Sequence, residues 1–328
     1  IPDGLLETPV EGLADLLEGP TLLHLPGRHP EPLFLTVLSH GNESTGFYAV
    51  QALLREYRER ELPRALSIFF ANVAASRHGL RILDGQVDYN RVWPGSPDTE
   101  SPEARMMQRV VDTMRDRQVF ASLDIHNNTG INPHYACINR VDNQFLHLAS
   151  LFSRTVVYFM RPLGVQSMAM SHVCPAVTIE CGKPEHRYGV QHAHDYIDAC
   201  LHLSELPQHP VPSHDVDLYH TVATVKVPET MSFGFGEADV DLRLLADIDH
   251  LNFRELPAGS RLGTLRNGVD DMLDVRDDND QQVFERYFAV QDGVLTTACP
   301  FMPSMFTLDK RIIRQDCLGY LMERLLPE

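Results

Sequence analysis

The apolar run Leu33-Phe34-Leu35-Thr36-Val37-Leu38, with His40-Gly41-Asn42-Glu43 behind it, decides how the chain is interpreted. The run predicts a buried strand, and a segment from Ser44 to Arg58 with helical character follows the polar turn. Open α/β sheets place ligand sites at the carboxyl ends of their strands. His40 and Glu43 share a face once the chain turns helical, so they can converge on one cation. The pair is a candidate half of a zinc site, with a solvated turn as the alternative.

A second apolar run, Ala121 to Ile125, also delivers a histidine to a strand end, His126. A catalytic zinc takes three protein ligands and keeps a fourth position for water. His40, Glu43 and His126 satisfy that count, although His126 can also be read as a core histidine. Asp124 lies two residues earlier on the same face of the strand, so it either orients a ligand histidine or is an ordinary buried carboxylate.

A third run, Pro175 to Gly182, carries Glu180 near its end. A glutamate there is costly to bury unless it has a partner or a task. Beside a metal-activated water it has one, as the base that takes the proton and passes it to the leaving group. The alternative is that Glu180 caps the next loop.

Cationic and amide side chains lie between the first two of these strands, in Asp88-Tyr89-Asn90-Arg91-Val92-Trp93-Pro94-Gly95. Asn90 and Arg91 supply an amide and a guanidinium fork, which suit a substrate carboxylate. Arg81 is a further cation that can face a developing oxyanion. Taken alone, each arginine is also compatible with a surface salt bridge.

The order of these motifs, HGNE, DYNRVWPG, SLDIHNN and TIECGKP, resembles the succinylglutamate desuccinylase and aspartoacylase family of zinc amidohydrolases, which share the zinc carboxypeptidase fold. The resemblance is dense from Leu33 to Tyr196 and thinner beyond. It implies one zinc ion per chain, and the roles it implies are His40, Glu43 and His126 as ligands, Glu180 as general base, and Asn90 with Arg91 as holders of the substrate carboxylate. It also implies that Arg81 polarises the scissile carbonyl. Arg77 is the alternative for this role.

One stretch departs from the family pattern. In the aspartoacylase branch an arginine shortly before the catalytic glutamate helps to hold the substrate, yet Gly164 to Pro175 contains no Arg or Lys. Met168, Met170 and His172 lie there instead, which predicts a substrate that is less anionic or bulkier than N-acetylaspartate. The alternative is that the methionines fill gaps in the core.

Strand-like and helix-like segments alternate up to Pro207. Strands are expected at Leu33 to Leu38, Leu66 to Val73, Ala121 to Ile125, His134 to Ile138, Thr155 to Met160 and Ala176 to Ile179, and helices at Ser44 to Arg60, Ser101 to Arg117, Asn143 to Ser153 and Gly189 to Leu206. This alternation predicts an α/β fold whose sheet is largely parallel and flanked by helices. The resemblance makes the expected sheet mixed, as in zinc carboxypeptidases.

The pattern changes after a linker-like segment, Pro207 to His214. Short strands are expected at Leu218 to Val227, Gln282 to Val290 and Gly293 to Ala298. We therefore expect a catalytic zinc hydrolase domain over residues 1–207 and a smaller β-rich domain over 208–328. The resemblance implies that the second domain overhangs the cleft.

Composition limits the partners. The formal charge of −17, from 28 Lys and Arg against 45 Asp and Glu, repels nucleic acid and anionic membrane surfaces. The six cysteines show no paired spacing, and neither an export signal nor a membrane-length apolar stretch is visible, so we expect reduced thiols and a cytoplasmic location. A small molecule is the expected partner, and a homo-oligomer is compatible with the sequence.

His192 and His194 resemble a metal pair. Residues two apart on a helix point in different directions, so we expect both histidines on the surface.

The sequence predicts a zinc-dependent hydrolase that cleaves the amide of a small N-acyl amino acid or a related carboxylate-bearing substrate. A metallocarboxypeptidase acting on peptides is the alternative within the enzymes. A non-catalytic metal-dependent binding protein is the alternative outside them, and Glu180 argues against it.

Overall fold

The computed structural model describes residues 1–184, 186–237, 239–266 and 272–325. These residues form two compact units. The first comprises Ile1–Asn127, His134–Tyr158 and Pro162–Asp217, and the second Asn128–Pro133, Phe159–Arg161 and Leu218–Glu328. No helix in the described ranges is both long enough and apolar enough to cross a membrane.

The first unit is built on a mixed, largely parallel sheet. Its strands are β1 (Thr21–Leu25), β2 (Gly27–Val37), β3 (Leu62–Phe70), β4 (Ala121–His126), β5 (Tyr135–Ile138), β6 (Thr155–Tyr158) and β7 (Ala176–Glu180). They lie in the order β1-β3-β2-β4-β7-β5-β6. The pairs β2/β3, β2/β4, β4/β7 and β5/β6 are parallel, whereas β1/β3 and β5/β7 are antiparallel. The predicted α/β class is thereby confirmed.

Helices cover this sheet. They are α1 (Leu13–Leu17), α2 (Thr45–Glu56), α3 (Val73–Ser76), α4 (Pro102–Asp116), α5 (Asn143–Ser150), α6 (Gln166–Met170) and α7 (Arg187–His202). Every residue of β4 and β7 is buried, as expected for central parallel strands. β3 ends at Phe70 rather than at Val73, because the Asn72 side chain accepts the Ala75 N–H and begins α3.

The second unit is rich in short strands. Its elements are β8 (Asp217–Lys226), β9 (Phe233–Phe235), β10 (Leu242–Leu244), β11 (Arg261–Leu265), β12 (Asp274–Arg276), α8 (Phe284–Tyr287), β13 (Phe288–Gln291), β14 (Val294–Thr297), β15 (Met302–Ser304), α9 (Lys310–Gln315) and β16 (Gly319–Arg324). One sheet has the order β13-β14-β11-β10-β9, and β8 pairs with β12 and β16. The strand expected over Gln282 to Val290 was wrong in its first half, where α8 lies.

Candidate metal centre and active site

The turn that leaves β2 is set by an unusual backbone conformation. Leu38 is fully buried and has a φ of 58°, a left-handed value that leucine rarely adopts. The Leu38 carbonyl accepts the Asn72 N–H at 2.7 Å, and the Val37 carbonyl accepts the Ala71 N–H. These bonds to the neighbouring segment hold the strained turn that leads to His40.

Gly41 allows this turn to pack closely. A Cβ at this position would lie 2.3 Å from both the Ala75 carbonyl carbon and the Ser76 nitrogen. The Gly41 N–H donates to the Arg81 carbonyl at 3.1 Å. The glycine between His40 and Glu43 is therefore required by the approach of α3.

His40, Glu43 and His126 form a buried group whose possible ligand atoms all lie within 4.8 Å of one another. His40 Nδ1 lies 2.8 Å from Glu43 Oε1, and His126 Nδ1 lies 2.7 Å from Glu43 Oε2. The Asn127 N–H donates to Glu43 Oε2 at 3.1 Å. Among the described residues this is the one group of three or more metal-ligating side chains with such geometry.

The other ring nitrogen of each histidine contacts a carboxylate. His40 Nε2 lies 3.1 Å from Asp88 Oδ1, and His126 Nε2 lies 2.8 Å from Asp124 Oδ2. A carboxylate on Nε2 favours the tautomer that carries its proton there. Each Nδ1 faces Glu43 and would offer its lone pair to a metal ion that displaces a proton from the ring, as in metal sites where a carboxylate orients a histidine ligand.

Charges in this group favour a cation. Burial opposes ionisation of the carboxylates, but His40 and His126 hold the pKa of Glu43 below its usual range. His40 and Arg81 likewise hold the pKa of Asp88 well below its usual range against the effect of burial. Burial lowers the pKa of His126, yet Asp124 and Glu43 together raise it well above the ordinary value. Positive charge is thus stabilised between these side chains, so the donor set fits a divalent metal.

Glu180 ends β7 beside His126. The two residues are in register on the parallel neighbours β7 and β4, so their side chains share one face of the sheet. Strands of one sheet lie about 4.8 Å apart. Burial, together with the negative charges of Glu43 and Asp124, raises the pKa of Glu180 to about 8 against the opposing charge of His126. This carboxyl can therefore exchange a proton near neutral pH.

Arg81, and not Arg77, lies beside the metal-ligating group. Arg81 Nη2 lies 3.1 Å from Asp88 Oδ2, and Nη1 lies 4.0 Å from Glu43 Oε1. The Arg77 side chain is 44% exposed and pairs with Asp15.

Asn90 is anchored through its side-chain oxygen. Its Oδ1 accepts the Gln166 backbone N–H at 2.9 Å, and its Nδ2 lies 3.3 Å from His126 Nε2. Arg91 Nη1 donates to the Asn90 carbonyl at 2.8 Å. Gln166 in turn donates through Nε2 to the hydroxyls of Thr36 and Ser122.

Sequence reasoning did not assign a role to Asp88 or Gln166. Asp88 had a weak signal, because an Asp two residues before Asn90 is typical of a side chain that accepts the following N–H, here at 2.8 Å. Gln166 had no signal in the sequence, because the hydroxyl groups that its side chain contacts come from β2 and β4. In the same helix Met170 is fully buried, as the core-filling alternative expected, and Met168 is partly buried.

The expectation that His192 and His194 both lie on the surface was wrong, because both side chains are partly buried. His192 Nδ1 lies 2.7 Å from His134 Nδ1, and its ring stacks on Phe152 with centroids 4.3 Å apart. His194 points elsewhere, with Nε2 3.2 Å from Glu56.

Comparisons with known proteins agree with this geometry. A sequence model of the succinylglutamate desuccinylase/aspartoacylase catalytic domain matches residues 31–203. A search of curated proteins found no significant match. Solved structures that are similar include succinylglutamate desuccinylase from Chromobacterium violaceum, with 20% identity over 93% of this chain and 90% of that chain and a TM-score of 0.58.

Two further structures share the fold. Murine aminoacylase 3 has 14% identity over 92% of this chain and 98% of that chain, with a TM-score of 0.60. The product-bound ectoine utilization protein from Ruegeria pomeroyi has 17% identity over 92% of this chain and 88% of that chain, with a TM-score of 0.53. The family match includes His40, Glu43, His126 and Glu180, and the chain belongs to the succinylglutamate desuccinylase/aspartoacylase family of amidohydrolases.

Proposed function

We propose that this chain is a zinc-dependent amidohydrolase that cleaves the amide of a small N-acyl amino acid or a related carboxylate-bearing substrate. One observation carries the proposal: both Nδ1 atoms of His40 and His126 contact the Glu43 carboxylate, while a carboxylate holds each Nε2. Two histidines and one glutamate are the ligand set of many catalytic zinc sites. When bound there, zinc would supply a Lewis acid and lower the pKa of a water molecule.

Glu180 is the proposed general base. Its side chain shares a sheet face with His126, and burial gives it a pKa of about 8. It takes a proton from water as the water oxygen adds to the amide carbon. The same proton then goes to the amide nitrogen as the C–N bond breaks, which leaves a carboxylic acid and an amine.

The arginines are proposed to bind negative charge. Arg81 is held by Asp88 beside Glu43, where a guanidinium can donate to the oxyanion that develops on the amide oxygen. Arg91 and the Asn90 amide are proposed to hold the substrate carboxylate. Because Gly164 to Pro175 contains no cation, we propose a substrate with one carboxylate rather than two.

Replacing Glu180 with glutamine tests the proposal. Glu180→Gln keeps the shape of the side chain but cannot accept the proton, so kcat should fall by about 10²–10⁴-fold while the bound metal is retained. The substrates are a panel of N-acyl neutral amino acids, and metal content is measured on the same samples. Glu205→Gln, an exposed glutamate in the same unit, is the matched control and should keep full activity.

Three results would contradict the proposal. Near wild-type turnover of Glu180→Gln would remove Glu180 from the mechanism. A metal-loaded wild-type protein that hydrolyses peptides but no N-acyl amino acid would favour a carboxypeptidase. A metal-loaded protein inactive on both would favour a binding protein.

A further inference from the structure

A cavity of about 290 Å³ lies between the loop 92–99 and the first two turns of α4. It is separate from the metal-ligating group, and the proposed reaction does not use it. Its volume is near the lower end of small-molecule sites, which run from about 300 to 1,000 Å³. A guest the size of an amino acid fits such a volume.

The cavity combines an apolar wall with cationic side chains. Val92, Pro94 and Ala104 contribute apolar surface, and Val92 and Ala104 are buried. Arg105 and Arg109 also line it, one helical turn apart on α4, so their guanidinium groups lie on one side of the helix. An apolar body with a negative charge at one end would match this lining.

The two arginines are available to a ligand. Within the described ranges of the chain no ion pair or side-chain hydrogen bond involves the Arg109 guanidinium. Arg105 Nη1 lies 3.7 Å from Glu100 Oε2, but the Glu100 side chain is 89% exposed, and such surface pairs are weak.

One carboxylate, Asp98, also lines the cavity. Its Oδ1 accepts the N–H groups of Glu100 and Ser101 at 3.0 and 3.1 Å, and so it is engaged by its own loop. Arg105 is the cation that interacts with this carboxylate. Arg109 therefore contributes a positive charge that the described residues of the lining do not balance.

Trp93 also lines the cavity. Its side chain is 1% exposed, and its Nε1 has no acceptor among the described residues. The Trp93 backbone N–H donates to the Gly164 carbonyl at 3.0 Å. Trp93 lies two residues after Arg91 in the chain.

We propose that this cavity binds a small carboxylate with an apolar body. The apolar body lies against Val92, Pro94 and Ala104, and the carboxylate contacts Arg109 with Arg105 beside it. The proposal is independent of the amidohydrolase activity, because binding is measured without substrate.

Trp93 is the single tryptophan of the chain and reports on this cavity directly. The metal-loaded whole chain is titrated with isovalerate while tryptophan fluorescence and binding heat are recorded. The control ligand is 3-methylbutan-1-ol, which has the same apolar body without the carboxylate. Isovalerate should give a saturable change, and the alcohol should bind at least tenfold more weakly, because a hydrogen bond between charged groups is lost.

Three variants locate the bound carboxylate. Arg109→Ala should weaken isovalerate binding roughly tenfold or more. Arg115→Ala removes another exposed arginine from α4, outside the lining, and should bind like the wild type. Arg91→Ala should also keep the fluorescence response, because the response does not come from the proposed substrate site.

Several outcomes would overturn the proposal. The first is a wild type that gives no saturable fluorescence change and no binding heat. The second is an alcohol that binds as tightly as isovalerate, and the third is a folded Arg109→Ala protein that binds isovalerate like the wild type. Loss of the response in Arg91→Ala with retention in Arg109→Ala would assign the carboxylate to the substrate site instead.

Discussion

Asp88→Asn tests whether the carboxylate behind His40 strengthens metal binding. Asp88 Oδ1 lies 3.1 Å from His40 Nε2 and accepts the Asn90 N–H at 2.8 Å, while Oδ2 lies 3.1 Å from Arg81. Asparagine keeps an oxygen that can accept the Asn90 N–H. It removes the negative charge that polarises the His40 ring and pairs with Arg81. The change therefore isolates the effect of charge from that of shape.

The expected loss follows from these contacts. Removing the partner of a metal-ligating histidine typically weakens metal affinity about 10–100-fold, or about 1.4–2.7 kcal/mol. We expect the upper half of this range, because the Asp88 side chain is only 12% exposed and solvent screens it little. Arg81 would also lose its 3.1 Å partner while still facing Glu43 at 4.0 Å, where it would compete with the metal for the carboxylate.

Zinc affinity is measured by competition with a chromophoric chelator at fixed pH. Asp142→Asn is the matched control, because Asp142 also accepts the N–H two residues ahead, from Gln144 at 3.0 Å, at the start of α5. Its affinity should equal that of the wild type. If folded Asp88→Asn also bound zinc like the wild type, the charge of Asp88 would have no part in tuning the centre.

Three other changes test the rest of the site. His126→Ala should lose its tightly bound metal, as measured by elemental analysis after dialysis, and a full equivalent retained by the folded variant would exclude His126 as a ligand. Gly164→Ala should raise KM, because Gly164 has a φ of +73° and a Cβ there would lie 2.3 Å from the Arg91 carbonyl oxygen. The control is Gly259→Ala, which should leave KM unchanged, because Gly259 has a similar φ of +83° but open space around it. Arg91→Ala should lower kcat/KM roughly thirtyfold or more, since losing a buried charge-assisted bond costs about 2–5 kcal/mol. N-acetylaspartate should be a poorer substrate than N-acyl neutral amino acids, and a strong preference for it would mean that a further cation reaches the pocket.

The convergence of the main side chains could be predicted from the sequence. β2, β4 and β7 each read as a short apolar run with a polar residue near its carboxyl end, and parallel neighbours bring those ends to one edge. The proximity of His126 and Glu180 could be predicted, because the residue types show which strands are buried and where each one ends. The same alternation of strands and helices predicted the sheet class, which the structure confirms.

Contacts made through loops could not be predicted in this way. The choice between Arg77 and Arg81 depends on the turn between them, since the first reaches Asp15 on the surface and the second reaches Asp88. Residues near in sequence can face opposite ways when the intervening backbone is irregular. The left-handed turn at Leu38 has no sequence signal, because the packing around it, and not its residue type, imposes it.

Propensity also misled us in the second unit. Val283, Phe284, Tyr287, Phe288 and Val290 are residues that strands favour, so Gln282 to Val290 was read as one strand. The structure instead closes a helical turn over Phe284–Tyr287 before β13 begins. Tertiary packing overrides propensity here, because Tyr287, the last residue of that helical turn, is fully buried.

The proposed metal ligands come from distant parts of the chain that meet only in the folded sheet. His40 and Glu43 follow β2, and His126 ends β4, its hydrogen-bonded neighbour. An ion held by all three would bind the native chain and not the unfolded one, so zinc supply would enter the folding equilibrium itself. At a free concentration about a thousand times the dissociation constant, this linkage adds about 4 kcal/mol to the free energy of unfolding. The thermal lifetime of the protein would then follow the zinc content of its surroundings.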